Sequence, residues 1–255
     1  MIVNQVMFFS FYQLVNQIIN SEQGLNMYVL GVDIETTGLS PDNDNIIELG
    51  AVVWDTEVDK PIAMMNHLIA IGDKKLSNKI ITLTGITDID LDSFGIDGKV
   101  ALTELLKLAE KCDYIVAHND NKFDRLFIDN ALNKYDISLD KPWIDTLYDV
   151  PYHEGIKSKK LTDLAIHYNC STNYAHRALF DVLMMLDICS YYDWQDIIEL
   201  QKIPMITIVA NVSYEEREKA KSEGFYFDRN TKQWNKKIKE SKLQYLYYDF
   251  SWKEI

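Results

Sequence analysis

The sequence predicts an α/β protein built on a mixed five-stranded sheet flanked by helices, with a small α+β unit at its C-terminal end. Three observations carry that reading. Three apolar, strand-like runs follow one another between residues 29 and 71 with short connections, as in an antiparallel meander. Helical and strand patterns then alternate from residue 100 to about 192, which suits a sheet covered by helices. Finally, the charge balance shifts near residue 205: residues 206–255 carry ten Lys or Arg against eight Asp or Glu, whereas residues 1–205 carry 16 against 31.

Bulk composition sets the outer bounds. A chain of 255 residues can hold one sizeable core and a small second unit. With 47% hydrophobic and 25% charged residues it has an ordinary globular composition. A formal charge of −13 argues against coating nucleic acid with a broadly basic surface, but leaves room for an enzyme that brings metal ions to phosphates. Cys112, Cys170 and Cys189 are odd in number and widely spaced, so neither a disulfide framework nor structural zinc is expected, and a cytoplasmic setting fits. No run of 18 apolar residues exists, which predicts no membrane span.

Residues 1–26 are apolar around Phe8 to Val15, yet no Lys or Arg precedes that stretch, so it makes a poor signal peptide. They read as an extra terminal helix or as an extension ahead of a start at Met27. An α/β domain over residues 27–204 and a small module over residues 205–255 complete the division.

The first strand is Val29–Leu39, which ends in a turn. Thr36–Asn45 is rich in turn formers and reads as a loop. Ile46–Trp54 and Pro61–Ile71 are the second and third strands. Val100–Lys111 has apolar residues at helical spacing and leads into a fourth strand, Tyr114–His118. A helix from about Phe123 to Asn133, a short strand at Trp143–Thr146, and helices over Leu161–Tyr168 and Ala175 to about Tyr192 follow. In the tail, Ile206–Val212 reads as a strand. Ser213 and Glu216 have capping-box spacing for a helix that runs to a C-cap at Gly224. Phe225–Trp234 reads as a hairpin turning at Asp228–Thr231.

The chemistry starts in the first strand. Asp33 and Glu35 are two residues apart and so share one face. Acids at the end of a buried strand require compensation by a cation, most simply a hard divalent metal. Asp124 falls on the first turn of a helix after a buried strand, where a capping charge alone would explain it. His176 and Asp181 are five steps apart, well separated around a helix, and can serve one site only if His176 lies at the helix start. Four carboxylates and a histidine, each at the end of a strand or the beginning of a helix, converge at one edge of an α/β sheet. Their mutual repulsion implies one or two divalent cations. Two such ions suit in-line displacement at a phosphodiester, with a histidine to take the proton from water.

Val32-Asp-Ile-Glu-Thr-Thr-Gly-Leu39, His118-Asn with Phe-Asp124, and His176-Arg-Ala-Leu-Phe-Asp181 resemble, in that order, the three motifs of the four-carboxylate-plus-histidine branch of the 3′→5′ exonuclease superfamily. Ile46-Ile-Glu-Leu-Gly-Ala51, Leu83-Thr-Gly-Ile-Thr87 and Asp145-Thr-Leu147 also look like that family. The resemblance extends over residues 28 to about 192, and is similar both to the proofreading subunit of bacterial DNA polymerase III and to the exonuclease X type. Two departures stand out. Three residues, Asp120-Asn121-Lys122, separate the His-Asn and Phe-Asp pairs where the family has two, and Thr84 stands where many relatives have a His.

The resemblance implies a ribonuclease H-like fold and Mg²⁺ or Mn²⁺ as two ions. It implies that Asp33, Glu35 and Asp181 hold one ion, that Asp33 also reaches the second, and that Asp124 acts on the second through water. His176 would be the general base, and Thr36, Thr37, Leu39 and Asn119 would meet the substrate. The implied substrate is single-stranded nucleic acid, DNA ahead of RNA, with nucleoside monophosphates as products and a polymerase or helicase as an allowed partner. An exoribonuclease of the same fold and a subunit acting mainly through a protein partner are the alternatives. In the tail, Phe225, Tyr226, Phe227 and Trp234 interleave with Arg229, Lys232, Lys236 and Lys237. Most of those aromatics are expected in the core of so small a unit, with the cations forming any contact surface.

Overall fold

The computed structural model describes residues 27–119, 123–156 and 158–255. The expected terminal helix in residues 1–26 and the extra loop residue among 120–122 lie outside the described residues. Strands β1 (Tyr28–Thr36), β2 (Ile46–Asp55), β3 (Lys60–Leu68), β4 (Tyr114–Ala117) and β5 (Trp143–Asp145) form one sheet in the order β3-β2-β1-β4-β5. The β1–β2 and β2–β3 pairs are antiparallel, and β1–β4 and β4–β5 are parallel. The acid-bearing β1 is therefore the central strand, and this is the ribonuclease H-like mixed sheet.

Helices follow as α1 (Asn78–Thr84), α2 (Asp88–Phe94), α3 (Gly98–Ala109), α4 (Asp124–Asn133), α5 (Thr146–Asp149), α6 (Leu161–His167), α7 (Ala178–Cys189) and α8 (Trp194–Lys202). Each face of the sheet has its own core. Leu30, Val32 and Ile34 of β1 pack with Leu102 and Leu105 of α3 and Phe127 and Ile128 of α4. On the opposite face Val29 and Val52 pack with Val182, Met185 and Leu186 of α7 and Ile197 of α8. Alternate residues of β1 thus point to different helices, as the two-residue strand period requires. Two glycines set how closely α7 lies. A Cβ at Gly31 would come within 2.7 Å of Val182 Cγ1, and one at Gly50 within 2.5 Å of the Leu179 backbone nitrogen. Gly50 is the register partner of Asp33, so the N-terminal turn of α7 rests directly beside the acidic part of β1.

Strands β6 (Met205–Asn211), β7 (Tyr226–Asp228), β8 (Gln233–Lys239) and β9 (Ser251–Glu254) form a second, antiparallel sheet in the order β7-β8-β6-β9. Helix α9 (Arg217–Ser222) packs Ala220 against Ile208, Phe225 and Ile238. The hairpin of β7 and β8 occurs where the sequence predicts it, and Gly224 after α9 takes the left-handed conformation with φ 81°. Buried Lys239 joins the two sheets: its Nζ lies 2.5 Å from Asp149 Oδ1 and donates to the Ile203 carbonyl at 3.0 Å.

Several expectations need correction. Ser213 and Glu216 do not cap a helix: Ser213 Oγ donates to the Glu216 carboxylate, and α9 begins later, without a side-chain cap. A capping box does form at Thr87 and Asp90, ahead of α2. Helix α7 begins at Ala178 rather than Ala175, because His176 is left-handed at φ 65° and Arg177 is extended. In the tail only Phe225 of the four aromatics is buried, while Tyr226 and Phe227 are exposed. Helices α1, α2, α5 and α8 and strand β9 are not among the elements that the sequence pattern predicts. Cys112, Cys170 and Cys189 are free thiols. Among the described residues no helix is long and apolar enough to cross a membrane.

Candidate metal centre

The site forms where two parallel strands part. Strand β4 pairs with β1 only along Val29–Gly31, so the stretch of β1 from Asp33 onward projects past it. Helix α4, which follows β4, places Asp124 in its first turn, and Asp124 Oδ1 accepts the Ile34 backbone N–H at 3.2 Å. The carboxylate thereby satisfies a strand amide that β4 has left unpaired. Asp33 and Glu35 share the face that Gly31 presents to α7, and Asp181 occupies the first turn of that helix. His176 precedes α7, is exposed, and donates its backbone N–H to Asp181 Oδ2 at 3.0 Å. Potential ligand atoms of Glu35, His176 and Asp181 all lie within 4.8 Å of one another.

The cluster is electrostatically unfavourable on its own. Burial, then the charges of Asp124, Asp181, Glu35 and Glu48, push the Asp33 carboxyl well above the ordinary carboxylate range. Burial likewise raises Glu35 to about 8, reinforced by Asp181, Glu48 and Asp124 and eased by Arg177. Asp124 rises to about 7, chiefly through burial, although backbone N–H groups partly stabilise its charge. Asp181 is also raised by burial, with relief from His176. One oxygen of Asp181, Oδ1, is buried and has no hydrogen-bond partner. An orphaned carboxylate oxygen among mutually repelling acids suits a hard divalent cation, and the residues present fit such an ion.

A second group of residues holds this arrangement in place. Fully buried Glu48, the register partner of Glu35, receives Arg177 Nη2 at 2.8 Å, the Ala178 backbone N–H at 3.0 Å and Asn66 Nδ2 at 3.0 Å. One acid thus fastens the start of α7, and with it His176 and Asp181, to β2. The sequence reading quoted Glu48 and Arg177 within family segments without giving them a task. The signal that the sequence offers for Glu48 is an acid inside the apolar run Ile46-Ile-Glu-Leu-Gly-Ala51.

At the end of β4, left-handed Asn119 donates its backbone N–H to Asp145 Oδ1 at 2.8 Å. His118 bonds Thr146 Oγ1 through Nδ1 and the Lys159 carbonyl through Nε2, and burial holds its pKa below the usual value. The loop after β1 is internally bonded as well. Thr36 Oγ1 donates to the Gly38 carbonyl at 2.6 Å, and Thr37 Oγ1 donates to Asp44 Oδ1 at 3.0 Å while accepting the Asn45 N–H. Leu39 projects from the loop with 81% of its surface exposed. Asp33, Glu35, Asp124, His176 and Asp181 therefore converge, Thr36, Thr37 and Leu39 form the loop after β1, and Asn119 is held at the end of β4 by Asp145.

Comparison with known proteins agrees with this geometry. The Exonuclease family model matches residues 30–189. DNA polymerase III PolC-type from Ureaplasma parvum is 34% identical over 160 residues, covering 61% of this chain and 11% of that protein. The chain thus spans about a tenth of the length of the curated relatives it matches. Among solved structures, the zinc-bound form of E. coli exonuclease I with single-stranded DNA superposes with a TM-score of 0.59 at 17% identity, covering 73% of this chain and 48% of that one. The nuclease domain of 3′hExo, a DEDDh family member bound to rAMP, gives 0.53 at 19% identity, covering 66% of this chain and 92% of that one.

Proposed function

Because the chain belongs to the Exonuclease family of 3′→5′ exonucleases, we propose that it is a divalent-metal-dependent exonuclease that releases nucleoside monophosphates from the 3′ ends of single-stranded DNA. The observation that carries this reading is the orphaned Asp181 oxygen, buried beside Glu35 and His176 in a cluster of raised carboxylates. A protein that only bound a partner would gain nothing from so costly a cluster.

Asp33, Glu35 and Asp181 would hold one Mg²⁺ or Mn²⁺, and Asp33 with Asp124 a second. Such ions, when bound, supply the positive charge that favours a hydroxide nucleophile and a departing 3′ oxygen. His176 offers its exposed imidazole at the rim, where it takes the proton from attacking water. Its left-handed backbone and its amide bond to Asp181 fix where that ring starts. Since the hydroxyls of Thr36 and Thr37 are already bonded within their loop, these residues serve by shaping the loop whose backbone meets the terminal nucleotide. Leu39 is placed to press on the last base, and Asn119 to border the sugar-phosphate.

DNA is favoured by the likeness to a nuclease solved with single-stranded DNA and to PolC-type polymerases, which also makes a polymerase a candidate partner. RNA is the second reading, favoured by the likeness to a nuclease domain solved with rAMP. The test uses matched single-stranded DNA and RNA labelled at the 5′ end, with Mg²⁺ or Mn²⁺. Wild type should shorten DNA into a ladder, and Asp33→Ala and His176→Ala should not. No ladder with wild type contradicts the enzyme reading, and faster loss of RNA contradicts the DNA preference.

A further inference from the structure

Between the two sheets lies a cleft of about 360 Å³ whose walls carry Lys159, Lys236, Lys237, Lys239 and Lys242. Five cations around one cleft are conspicuous in a chain of net charge −13. Two of them are engaged by the protein: Lys239 by Asp149, and Lys236 by the Glu223 carbonyl and the Tyr248 hydroxyl. Lys159 donates to the Leu147 carbonyl and lies 5.0 Å from the centre of the Tyr152 ring, partners that leave it without a carboxylate in direct contact. Lys237 and Lys242 have no ion-pair partner among the described residues.

We propose that this cleft binds the phosphodiester backbone of single-stranded nucleic acid, with Lys159, Lys237 and Lys242 as the phosphate contacts, on a strand whose 3′ end lies in the carboxylate site. The proposal rests on the exonuclease reading for the direction of the strand.

Two further features agree with that ligand. Burial, and after it repulsion between Lys159 and Lys242, pushes the Lys159 ammonium down to about 8. An anion between them removes that cost. Tyr148 and the 44%-exposed Tyr226 line the same cleft, giving bases rings to stack on beside the cations.

The cleft is also connected to the acidic site. The Lys159 carbonyl receives His118, the residue before Asn119, and the Asp145 charge is felt both by Asp124 in the site and by Lys159 in the cleft. A strand leaving the metal centre past the ends of β4 and β5 meets these lysines next. An acidic peptide would satisfy the charges but would have no reason to continue into a carboxylate site.

The test measures fluorescence anisotropy of a labelled thirty-nucleotide oligo-dT with the full chain in EDTA, so that binding is read without cleavage. Hydrolysis of the p-nitrophenyl ester of thymidine 5′-monophosphate with Mn²⁺ is measured in parallel. Lys237→Gln/Lys242→Gln should bind the oligonucleotide about ten-fold more weakly at low salt. Its log–log dependence of affinity on salt should be shallower by about 1.4, the loss expected for two phosphate contacts on a single strand. Ester hydrolysis should stay within about twofold of wild type, because the ester is too small to reach the cleft. Lys221→Gln/Lys253→Gln, two exposed lysines outside the cleft, should match wild type.

Unchanged affinity and slope in the first variant overturn the proposal, as does an equal loss in the second. If wild type fails to hydrolyse the ester while oligonucleotide binding still depends on Lys237 and Lys242, the cleft stands and the exonuclease reading falls.

Discussion

The two sheets treat charge in opposite ways. In the first, β2 buries all ten of its residues and helices cover both faces, so Asp33, Glu35, Glu48, Asp124 and Asp181 occupy a poorly solvated interior. In the second, neither β7 nor β9 buries a single residue, and its lysines other than Lys239 reach solvent. A carboxylate in the first region is expensive and so signals a task, whereas a lysine in the second costs little and signals one only where several converge. That is why a few acids suffice to read the first region, while the second had to wait for the cleft between the sheets.

The largest effects that sharpen this contrast are catalytic. Asp33→Ala and Asp181→Asn should each lower turnover on single-stranded DNA by roughly 10³-fold or more, the scale of removing a group that stabilises developing charge. Circular dichroism should remain native, because each substitution removes a repelling charge. A loss below tenfold would mean that the cluster is structural.

Next come the buried ion pairs. Lys239→Ala leaves Asp149 unpaired at the junction of the sheets and should cost about 3 kcal/mol in urea unfolding, most of it in the second sheet. Arg177→Met leaves Glu48 unpaired. Because 37% of the Arg177 side chain is exposed, the cost should be smaller, about 2 kcal/mol. The pair Glu48→Leu/Arg177→Met should recover most of that stability yet stay slow, since the start of α7 is no longer fastened to β2. Full recovery of turnover would show that the Glu48–Arg177 link contributes only stability.

The smallest effect concerns pH. Glu35 and Asp124 titrate near 8 and 7 in the folded protein, above their unfolded values. The metal-free fold then binds more protons than the unfolded chain across this range, so its stability should fall as pH rises from about 5 to 8. Mn²⁺ should reverse that fall at pH 8, because it binds the ionised carboxylates of the native state alone. Scanning calorimetry with and without Mn²⁺ checks the sign. A metal-free melting temperature that rises over this window would contradict this balance of burial and repulsion.

How far the sequence could be read follows the same physics. Asp33, Glu35, Asp124 and Asp181 were legible because acids interrupt apolar strands or begin helices, and His176 because it falls just ahead of such a helix. Glu48 lies in the same kind of strand, but its partner Arg177 is 129 residues away, and nothing local announces the pair. Helices α1, α2 and α8 are short, and their main signals are single capping residues, Ser77, Thr87 and Asp193. Capping spacing alone misleads: Ser213 and Glu216 have it, but the chain there makes a turn. At Thr87 the same spacing precedes Leu91, whose burial gives the helix a face to dock. Strand β9 has only four residues and exists because β6 offers it an edge.

The central claim is that the acids around Asp33 form a divalent-metal site. Titration calorimetry of Mn²⁺ into metal-free protein at pH 8, with thymidine 5′-monophosphate present, tests it most directly. Wild type should bind two ions, Asp33→Asn should lose them, and binding should be much weaker at pH 5.5, where Glu35 and Asp124 are protonated. Absence of Mn²⁺ binding to wild type, or binding that Asp33→Asn leaves intact, would contradict it.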